Sequence, residues 1–320
     1  MSARPRVSVI LASYNAWEHL ERCLRSLLEH TTSADLEIVV VDNASADGTP
    51  ERLPVAFPSA RLIANDHNAG FARANNQGMA AATGDLLLLL NSDTYVEDDV
   101  IGRAAAHLLA RPGIGMLGVD LRFPHGRRQH VANRRLSVRR SLVERLWLYK
   151  LIPRARRGSY LLGGYWEEDR EIEVDWLAGA FMLLRPALFA RSGGFDEQFW
   201  MYGEDSEWCM RLRRSGVRIL YAPRIGIVYH VGAASSDLLW TERERLARCH
   251  RGGLDAYAAV HGQARGRIYH AAELAGAAVR WAVHATAVRA RGSEYHAAQA
   301  DFYGWLARLF AAEVVRRARR

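Results

Sequence analysis

The run at residues 86–94, LLLLLNSDT, constrains the fold more than any other stretch of the chain. Five consecutive leucines bounded by turn-forming residues predict a strand buried on both faces, as in parallel sheets flanked by helices. In open α/β sheets ligands bind at the carboxyl ends of the strands, so Asp93 is predicted to face a ligand or a metal ion. The alternative is a turn in which Asn91 and Asp93 bond their own backbone, which is the usual meaning of such a motif in isolation.

Composition narrows the classes of protein to which the chain can belong. With 320 residues and 49% hydrophobic content it can bury a full core. The cysteines are well separated without a CxxC pair, which argues against a zinc site or a disulfide framework. The same cysteine pattern fits a reduced, cytoplasmic setting, and we expect no signal peptide and no membrane span. The net charge of +8 permits nucleic acid, anionic lipid or sugar diphosphates as partners, but no nucleic-acid module is recognisable, so we expect no nucleic-acid partner.

The first residues predict a βαβ unit. Residues 7–12 and 36–41 have the pattern of buried strands, and residues 17–30 that of a helix with one apolar face. The two strands should be parallel, so that both end at one crevice. Asp42 would lie at its rim, either accepting hydrogen bonds from a base or ribose or capping the following turn.

A third strand at 61–65 is followed by a glycine-containing turn and a helix. Gly70 would let the backbone approach a ligand closely, and a helix beginning near Phe71 would point its N–H groups toward that ligand. Arg73 could contact phosphate. No GxGxxG motif follows these strands, which argues against an NAD enzyme.

The second half contains further strands and an acidic helix start. A strand is predicted near 115–120, another at 176–184 and closing strands at 218–223 and 226–230. Glu204 and Asp205 open a predicted helix, where the helix dipole favours acids, or one of them is a general base beside the aromatic residues Trp200 and Tyr202. His230 ends an apolar strand and, taken alone, would be a structural histidine.

Two regions are rich in arginine. Residues 122–170 form a basic amphipathic segment that suits either an anionic bilayer surface or a solvated helix face. Beyond Asp237 the chain is helical in composition, notably at 271–290 and 301–320, with charges too frequent for an unaided membrane span. We therefore predict a catalytic domain at 1–237, with a variable basic insertion at 122–170, and a helical region at 238–320 that serves membrane-surface attachment or dimerisation.

Taken together, these stretches resemble glycosyltransferase family 2, and within it most closely the bacterial rhamnosyltransferase-type enzymes. The resemblance covers about residues 5–237 and weakens between 122 and 170. The matching segments are VSVILASYNAWEHLERCLRSLL, IVVVDNASADGT, NAGFARANNQG, LLLLLNSDT, WLAGAFMLLRPALFARSGGFDEQFWMYGEDSEWCMRLRRSG and YHVGAASS. The resemblance implies an α/β GT-A fold, which is a Rossmann-like, mostly parallel sheet flanked by helices, here with a C-terminal helical appendage.

The resemblance also implies roles for individual residues. Asp205 matches the general base of the ED motif, and Asp93 and His230 match metal ligands. Asn91 stands where the family's DxD motif has its first aspartate, so its contact to ribose or metal carries no charge. The donor-side positions are Ser13, Tyr14, Asn15, Asp42, Asn68, Gly70, Phe71, Arg73, Asn75, Asn91 and Ser92. The acceptor-side candidates are Trp176, Gly179, Trp200, Tyr202 and Glu204.

The function implied is inverting, metal-dependent transfer of a sugar, with rhamnose as the family-level expectation, from a dTDP-, UDP- or GDP-linked donor. The acceptor would be a lipid-linked glycan or polysaccharide, the cofactor Mn²⁺ or Mg²⁺, and the location the inner face of the cell membrane. Two alternatives stay open, a catalytically silent scaffold that binds sugar nucleotide or lipid and a sugar-1-phosphate nucleotidyltransferase. The latter would need a basic glycine-rich loop after the first strand, where this chain has SYNAWEH.

Overall fold

A computed structural model describes residues 4–162, 165–166, 169–232 and 239–318. The strands are, in chain order, β1 (Arg6–Ser13), β2 (Asp35–Asp42), β3 (Arg61–Ala64), β4 (Leu86–Leu90), β5 (Thr94–Val96), β6 (Met116–Gly118), β7 (Asp120–Arg122), β8 (Arg128–Gln129), β9 (Ala132–Asn133), β10 (Ile172–Val174), β11 (Trp176–Leu177), β12 (Phe181–Leu184), β13 (Ile219–Tyr221) and β14 (Ile227–His230). The helices are α1 (Trp17–His30), α2 (Thr49–Ala56), α3 (Phe71–Ala81), α4 (Val100–Leu109), α5 (Val138–Arg145), α6 (Arg154–Leu161), α7 (Pro186–Ser192), α8 (Glu204–Arg214), α9 (Glu242–His261), α10 (Gln263–Arg291) and α11 (Glu294–Ala318), with a short 3-10 helix at Leu148–Leu151.

The chain divides into two compact units. The first comprises the described residues of Met1–Arg135 and Leu162–Arg245, and the second those of Leu136–Leu161 and Leu246–Arg320. The segment 136–161, predicted as part of an insertion in the catalytic domain, thus belongs with the C-terminal helices. The boundary predicted near Asp237 lies outside the described residues and stays a prediction.

A mixed sheet with strand order β10-β13-β6-β12-β4-β1-β2-β3 forms the centre of the first unit. All five leucines of β4 are buried, because this strand lies between β12 and β1 inside the sheet. Strands β1, β2, β3 and β4 are parallel, whereas β12 is antiparallel to β4. The predicted parallel βαβ unit is confirmed.

This topology brings several chain segments to one sheet edge. The carboxyl ends of β1, β2 and β4 share that edge because the three strands run in the same direction. The amino end of β12 arrives at the same edge, since Phe181 is paired with Leu90. The polar loops after Ser13, Asp42 and Leu90 therefore lie beside the segment before β12.

A smaller sheet with strand order β5-β14-β7-β8 adds the last side chain to this edge. Strand β14 is antiparallel to β5, and His230 is paired with Thr94. His230 consequently lies next to the loop that carries Asp93.

Two predicted strands are interrupted in the structure. The segment 115–120 divides into β6 and β7, which belong to different sheets, because the chain passes from one sheet to the other between Gly118 and Asp120. The segment 176–184 divides into β11 and β12, and the Gly179 N–H between them donates to the Asp205 carboxylate rather than to a neighbouring strand. Uniform apolar composition does not reveal such breaks.

The second unit has its own core, formed where α5, α10 and α11 pack together. Its buried residues include Leu254, Tyr257, Leu306 and Phe310. Among the described helices, none combines the length and apolar character that crossing a bilayer requires.

Candidate donor and acceptor site

Two loops at the sheet edge are joined by side-chain hydrogen bonds. Asn15 lies in the first loop, after β1, where its N–H donates to Ser45 Oγ (2.8 Å) and its Oδ1 accepts from the Ala46 N–H (2.7 Å). Asp47 in the second loop accepts from the Trp17 N–H at 2.8 Å. These bonds hold both loops in one arrangement and leave Tyr14, beside Asn15, only partly buried.

Asp42 is fully buried at the end of β2, and its two carboxylate oxygens differ. Oδ2 accepts from the Ser45 N–H at 2.9 Å, which is the turn-capping role considered above. Oδ1 has no hydrogen-bond partner among the described residues, and neither has the buried Ser13 Oγ. Burial raises the pKa of Asp42. A buried acceptor without a partner is costly, so Oδ1 and Ser13 Oγ are suited to bind polar atoms of a ligand.

Gly70 lies where the segment before α3 meets Trp200. Its φ is +87°, and a Cβ there would clash with the Trp200 carbonyl oxygen and lie 2.6 Å from Trp200 Cδ1. Phe71 N–H donates to that carbonyl at 2.8 Å, and Trp200 Nε1 donates to the Asn68 carbonyl at 3.2 Å. The close approach predicted for Gly70 is thus made by Trp200, and the Phe71 N–H is already bonded to protein.

Other predicted donor-side residues of α3 serve the helix itself or face solvent. Asn75 is buried and donates to the Phe71 carbonyl at 2.9 Å, one turn back. Arg73 is exposed on the helix surface. The roles predicted for these two residues toward a ligand stay predictions.

Asp93 and His230 meet at the end of β4. His230 Nε2 lies 3.1 Å from Asp93 Oδ1 and 3.2 Å from Asn91 Nδ2. Asp93 Oδ2 accepts from the Gly232 N–H at 3.1 Å, a bond to a distant segment rather than to its own turn. All three side chains come from loops or strand ends that the two sheets hold together.

Gln129 determines which nitrogen of His230 faces Asp93. Its Nε2 donates to the His230 carbonyl (2.7 Å), which can only accept, so its Oε1 faces His230 Nδ1 (2.8 Å). Nδ1 must therefore carry a proton. In neutral His230, Nε2 then carries a lone pair, which faces the Asn91 Nδ2 donor and lies beside the Asp93 carboxylate. A histidine oriented through its second nitrogen is typical of metal ligands.

Asn91 adds a further oxygen near this pair. Its Oδ1 is buried and has no partner among the described residues. Across the described ranges of the chain, no cluster of three or more His, Cys, Asp or Glu side chains could hold a metal ion. Asp93 and His230 would thus supply only part of a coordination shell, as in sites where substrate phosphates and waters complete it.

Asp205 and Glu204, at the start of α8, have different environments. Asp205 is partly exposed and accepts from the N–H groups of Gly179 (3.2 Å) and Ser206 (2.6 Å), while burial raises its pKa to about 6. Glu204 is buried with Oε2 unpartnered among the described residues, and burial together with the Asp205 charge raises its pKa well above the usual range. Asp205 is thus the member of this pair that reaches solvent and is oriented by backbone N–H groups, which suits a base.

The segment Ala178–Ala180 contacts both the loop that carries Asn91 and the carboxylate of Asp205. The Asn91 N–H donates to the Ala180 carbonyl at 3.2 Å, and the N–H of the preceding residue, Gly179, donates to Asp205. A Cβ on Gly179 would lie 3.1 Å from the Phe71 ring. Asn91, Gly179, Phe71 and Asp205 are therefore in one continuous set of contacts.

The predicted acceptor-side aromatics are only partly brought together. Trp200 and Tyr202 both contact Trp240, with ring centroids 5.6 and 5.9 Å away. Trp176 instead pairs in β11 with β9 and donates its Nε1 to the Arg134 carbonyl at 2.9 Å. Sequence reasoning missed Gln129 and Trp240, since both lie outside the segments that carry the resemblance.

The comparisons with known proteins agree with this arrangement. The family model for glycosyl transferase family 2 matches residues 8–189, and a model described as the N-terminal domain of galactosyltransferase matches residues 167–233. The chain belongs to glycosyl transferase family 2. The resemblance found in the sequence is confirmed, and the protein is a family 2 glycosyltransferase that acts in sugar transfer.

Individual relatives show the same family and fold. An N-acetylglucosaminyl-diphospho-decaprenol L-rhamnosyltransferase of Mycobacterium tuberculosis is 29% identical over 237 residues, which cover 69% of this chain and 75% of the relative. A mannosyltransferase of Pyrobaculum calidifontis, solved with GDP-Man and Mn²⁺, is similar at a TM-score of 0.58 and 21% identity, covering 98% of this chain and 87% of its own. S. aureus TarS 1-349, solved in complex with UDP, is similar at a TM-score of 0.51 and 18% identity, covering 85% of this chain and 70% of its own. The predicted α/β GT-A fold with C-terminal helices is confirmed.

The contact at Gly70 can be tested with a matched pair of alanine substitutions. Gly70 and Gly216 have φ values of +87° and +86°, but a Cβ at Gly216 would meet no atom within 4 Å. Both alanines should lower the free energy of unfolding by about 1–2 kcal/mol for the left-handed backbone. Gly70→Ala should cost about 1–3 kcal/mol more, because the Cβ must displace Trp200. Urea denaturation measures both, and equal losses would contradict the packing described here.

Proposed function

We propose that this family 2 glycosyltransferase transfers a sugar from a nucleoside-diphosphate sugar to a hydroxyl of a lipid-linked or polysaccharide acceptor, with inversion and with a divalent metal ion. The observation that carries the proposal is the contact set that joins the Asp93–His230 pair to Asp205 through Asn91, Ala180 and Gly179. A site for a charged diphosphate and a site for a base are thus close together. Such a pairing suits displacement at an anomeric carbon.

Asp205 would act as the general base. A carboxylate with a pKa near 6 is ionised at neutral pH and more basic than an ordinary aspartate. The N–H of Gly179 holds one oxygen, which orients the carboxylate. Asp205 takes the proton of the acceptor hydroxyl as its oxygen attacks the anomeric carbon, and the nucleoside diphosphate leaves from the opposite face. A single displacement of this kind inverts the anomeric centre.

The donor end of the site would be formed by Asp42, Ser13, Asn91, Asp93 and His230. The unpartnered Asp42 Oδ1 would accept from the base or ribose. Asp93 and His230 would hold Mn²⁺ or Mg²⁺, and the imidazole nitrogen favours Mn²⁺. The metal ion, when bound, neutralises charge on the diphosphate leaving group.

The M. tuberculosis relative supports a rhamnosyl donor and a lipid-diphosphate acceptor. Its name specifies transfer of L-rhamnose to a decaprenol-linked N-acetylglucosamine. We propose the same chemical classes for this chain, with a dTDP-linked donor preferred to UDP- or GDP-linked ones.

Attachment to an anionic membrane surface would suit a lipid-linked acceptor. Within the second unit Leu151 is 82% exposed, and exposed Lys150 and Arg154 lie beside it. An apolar side chain flanked by cations can enter the headgroup layer while the charges meet anionic lipids. The cytoplasmic face of the cell membrane is the proposed location.

Replacing the base should separate chemistry from donor binding. Asp205→Asn keeps the shape and removes the proton acceptor, so kcat for transfer should fall by about 10²-fold or more. The stabilisation of the protein by nucleoside diphosphate should stay near that of the wild type. The control is Asp301→Asn, an exposed carboxylate of α11. Near wild-type turnover of Asp205→Asn would remove Asp205 from the mechanism.

The rate should depend on pH through this same carboxyl group. Because the pKa of Asp205 is raised to about 6, protonation below that pH removes the base, and kcat should rise as pH increases through 6 and level off above 7. Transfer at saturating donor and acceptor, measured between pH 5 and 8, tests this. A rate that stays constant down to pH 5 would contradict a base with this pKa.

The metal site can be tested by thermal shift without any turnover. UDP, dTDP, GDP and CDP are each added with and without Mn²⁺, since a ligand at 100 times its Kd stabilises the native state by about 2.7 kcal/mol. One nucleotide should give a larger shift with Mn²⁺, and Asp93→Asn and His230→Gln should lose that increment. His67→Gln, an exposed histidine, is the control. If Mn²⁺ raised the thermal shift of both variants as much as that of the wild type, Asp93 and His230 would be excluded as metal ligands.

A further inference from the structure

Trp240 lies beyond both family-model matches, which end at residues 189 and 233. In the first unit it nevertheless contacts two aromatic residues of the segment that leads into α8. Its ring is 5.6 Å from that of Trp200 at an interplanar angle of 74°, and 5.9 Å from that of Tyr202 at 50°. The three rings define an aromatic corner: Trp200, Tyr202 and Trp240.

The aromatic corner is not a closed stack. Trp200 and Trp240 pack edge to face. In such a pair one ring contributes only its edge, so its two faces are not covered by the partner ring. All three side chains are partly exposed to solvent. Each of the three side chains therefore keeps part of its surface accessible to a ligand, whereas rings that only fill a core, such as Phe195 and Trp208, are buried.

The backbone at Tyr202 supports a role for this corner. Tyr202 has a φ of +71° and Gly203 one of +105°, so two consecutive residues adopt left-handed conformations directly before α8. For a bulky residue such as tyrosine this conformation is strained. Strain of this kind is concentrated at functional sites, where it positions a side chain.

The aromatic corner also connects to both ends of the reaction. Trp200 binds the donor-side segment through its carbonyl and Nε1 groups, and Tyr202 precedes the base Asp205 by three residues. A ring bound at the corner would lie near the base and beside the donor segment. A pyranose ring has one apolar face of C–H groups, which packs on aromatic surface, and hydroxyls that remain free to react.

We infer that Trp240 is an acceptor-binding residue, which packs against the sugar ring of the acceptor in the corner that it forms with Trp200 and Tyr202. The inference rests on the proposed function and adds to it the subsite that recognises the acceptor sugar. Trp240 binds and orients this ring and takes no part in proton transfer. It affects the acceptor and leaves the donor site unchanged.

The test compares Trp240→Ala, Trp240→Phe and a control, Trp281→Ala, whose indole in α10 is 48% exposed. The acceptor probe is N-acetylglucosaminyl diphosphate linked to a short prenyl chain, with the donor chosen by the nucleotide panel. Trp240→Ala should raise the acceptor KM about tenfold, as expected for loss of one aromatic contact. Trp240→Phe should retain most of the affinity, and Trp281→Ala should match the wild type.

Two further readings separate binding from folding. Donor hydrolysis without acceptor and the nucleotide-induced thermal shift should be the same in Trp240→Ala and the wild type. An unchanged acceptor KM in Trp240→Ala overturns the inference while leaving the proposed function intact. A parallel loss of donor hydrolysis and thermal shift also overturns it, because Trp240 would then support the fold.

The wild type itself tests the proposed function. If it binds nucleotide but neither transfers sugar to the probe nor is stabilised by the probe, the proposed acceptor class is wrong, and the role inferred for Trp240 is overturned with it. Transfer by the wild type together with an acceptor-specific defect in Trp240→Ala supports both.

Discussion

The hydrogen bond from the Phe71 N–H to the Trp200 carbonyl holds the segment before α3 against the segment before α8. It forms only because Gly70 has no side chain, so the segment before α3 can lie directly against the segment before α8. The first segment lies on the proposed donor side, and the second leads to Asp205, the proposed base. A contact between backbones therefore sets the spacing between these two segments.

At the carboxyl end of β4, the arrangement of Asp93 and His230 depends on how the imidazole ring is oriented. Asn91 contributes an uncharged amide here, and the Asp93 carboxylate lies 3.1 Å from His230 Nε2. Gln129 determines the tautomer of that histidine through two hydrogen bonds. A neutral amide thus controls which nitrogen faces the carboxylate, a role that its residue type alone would not suggest.

Sequence patterns predicted the parts of the fold that are locally determined. The apolar residues of α1, spaced three and four apart, do form a helix, and the leucine run of β4 does form a buried strand. Both patterns can be recognised within a few consecutive residues of the sequence. The break between β11 and β12 was not predicted, since it depends on the bond from Gly179 to a carboxylate 26 residues away. Asp205 could be proposed from its motif, whereas Gln129 and Trp240 lie in segments without periodicity or motif, and only tertiary structure brings them to the candidate site.

The position of strand β14 affects the order in which the protein can fold during synthesis. It inserts between β5 and β7 and is the last of the described strands of the first unit. It carries His230, whose partners Gln129 and Asn91 lie 101 and 139 residues earlier in the chain. During synthesis the early loops can fold as they emerge, but Asp93 gains its histidine only after residue 230 has left the ribosome. The nascent chain therefore completes the Asp93–His230 pair only when nearly all of the sheet-forming unit has been made.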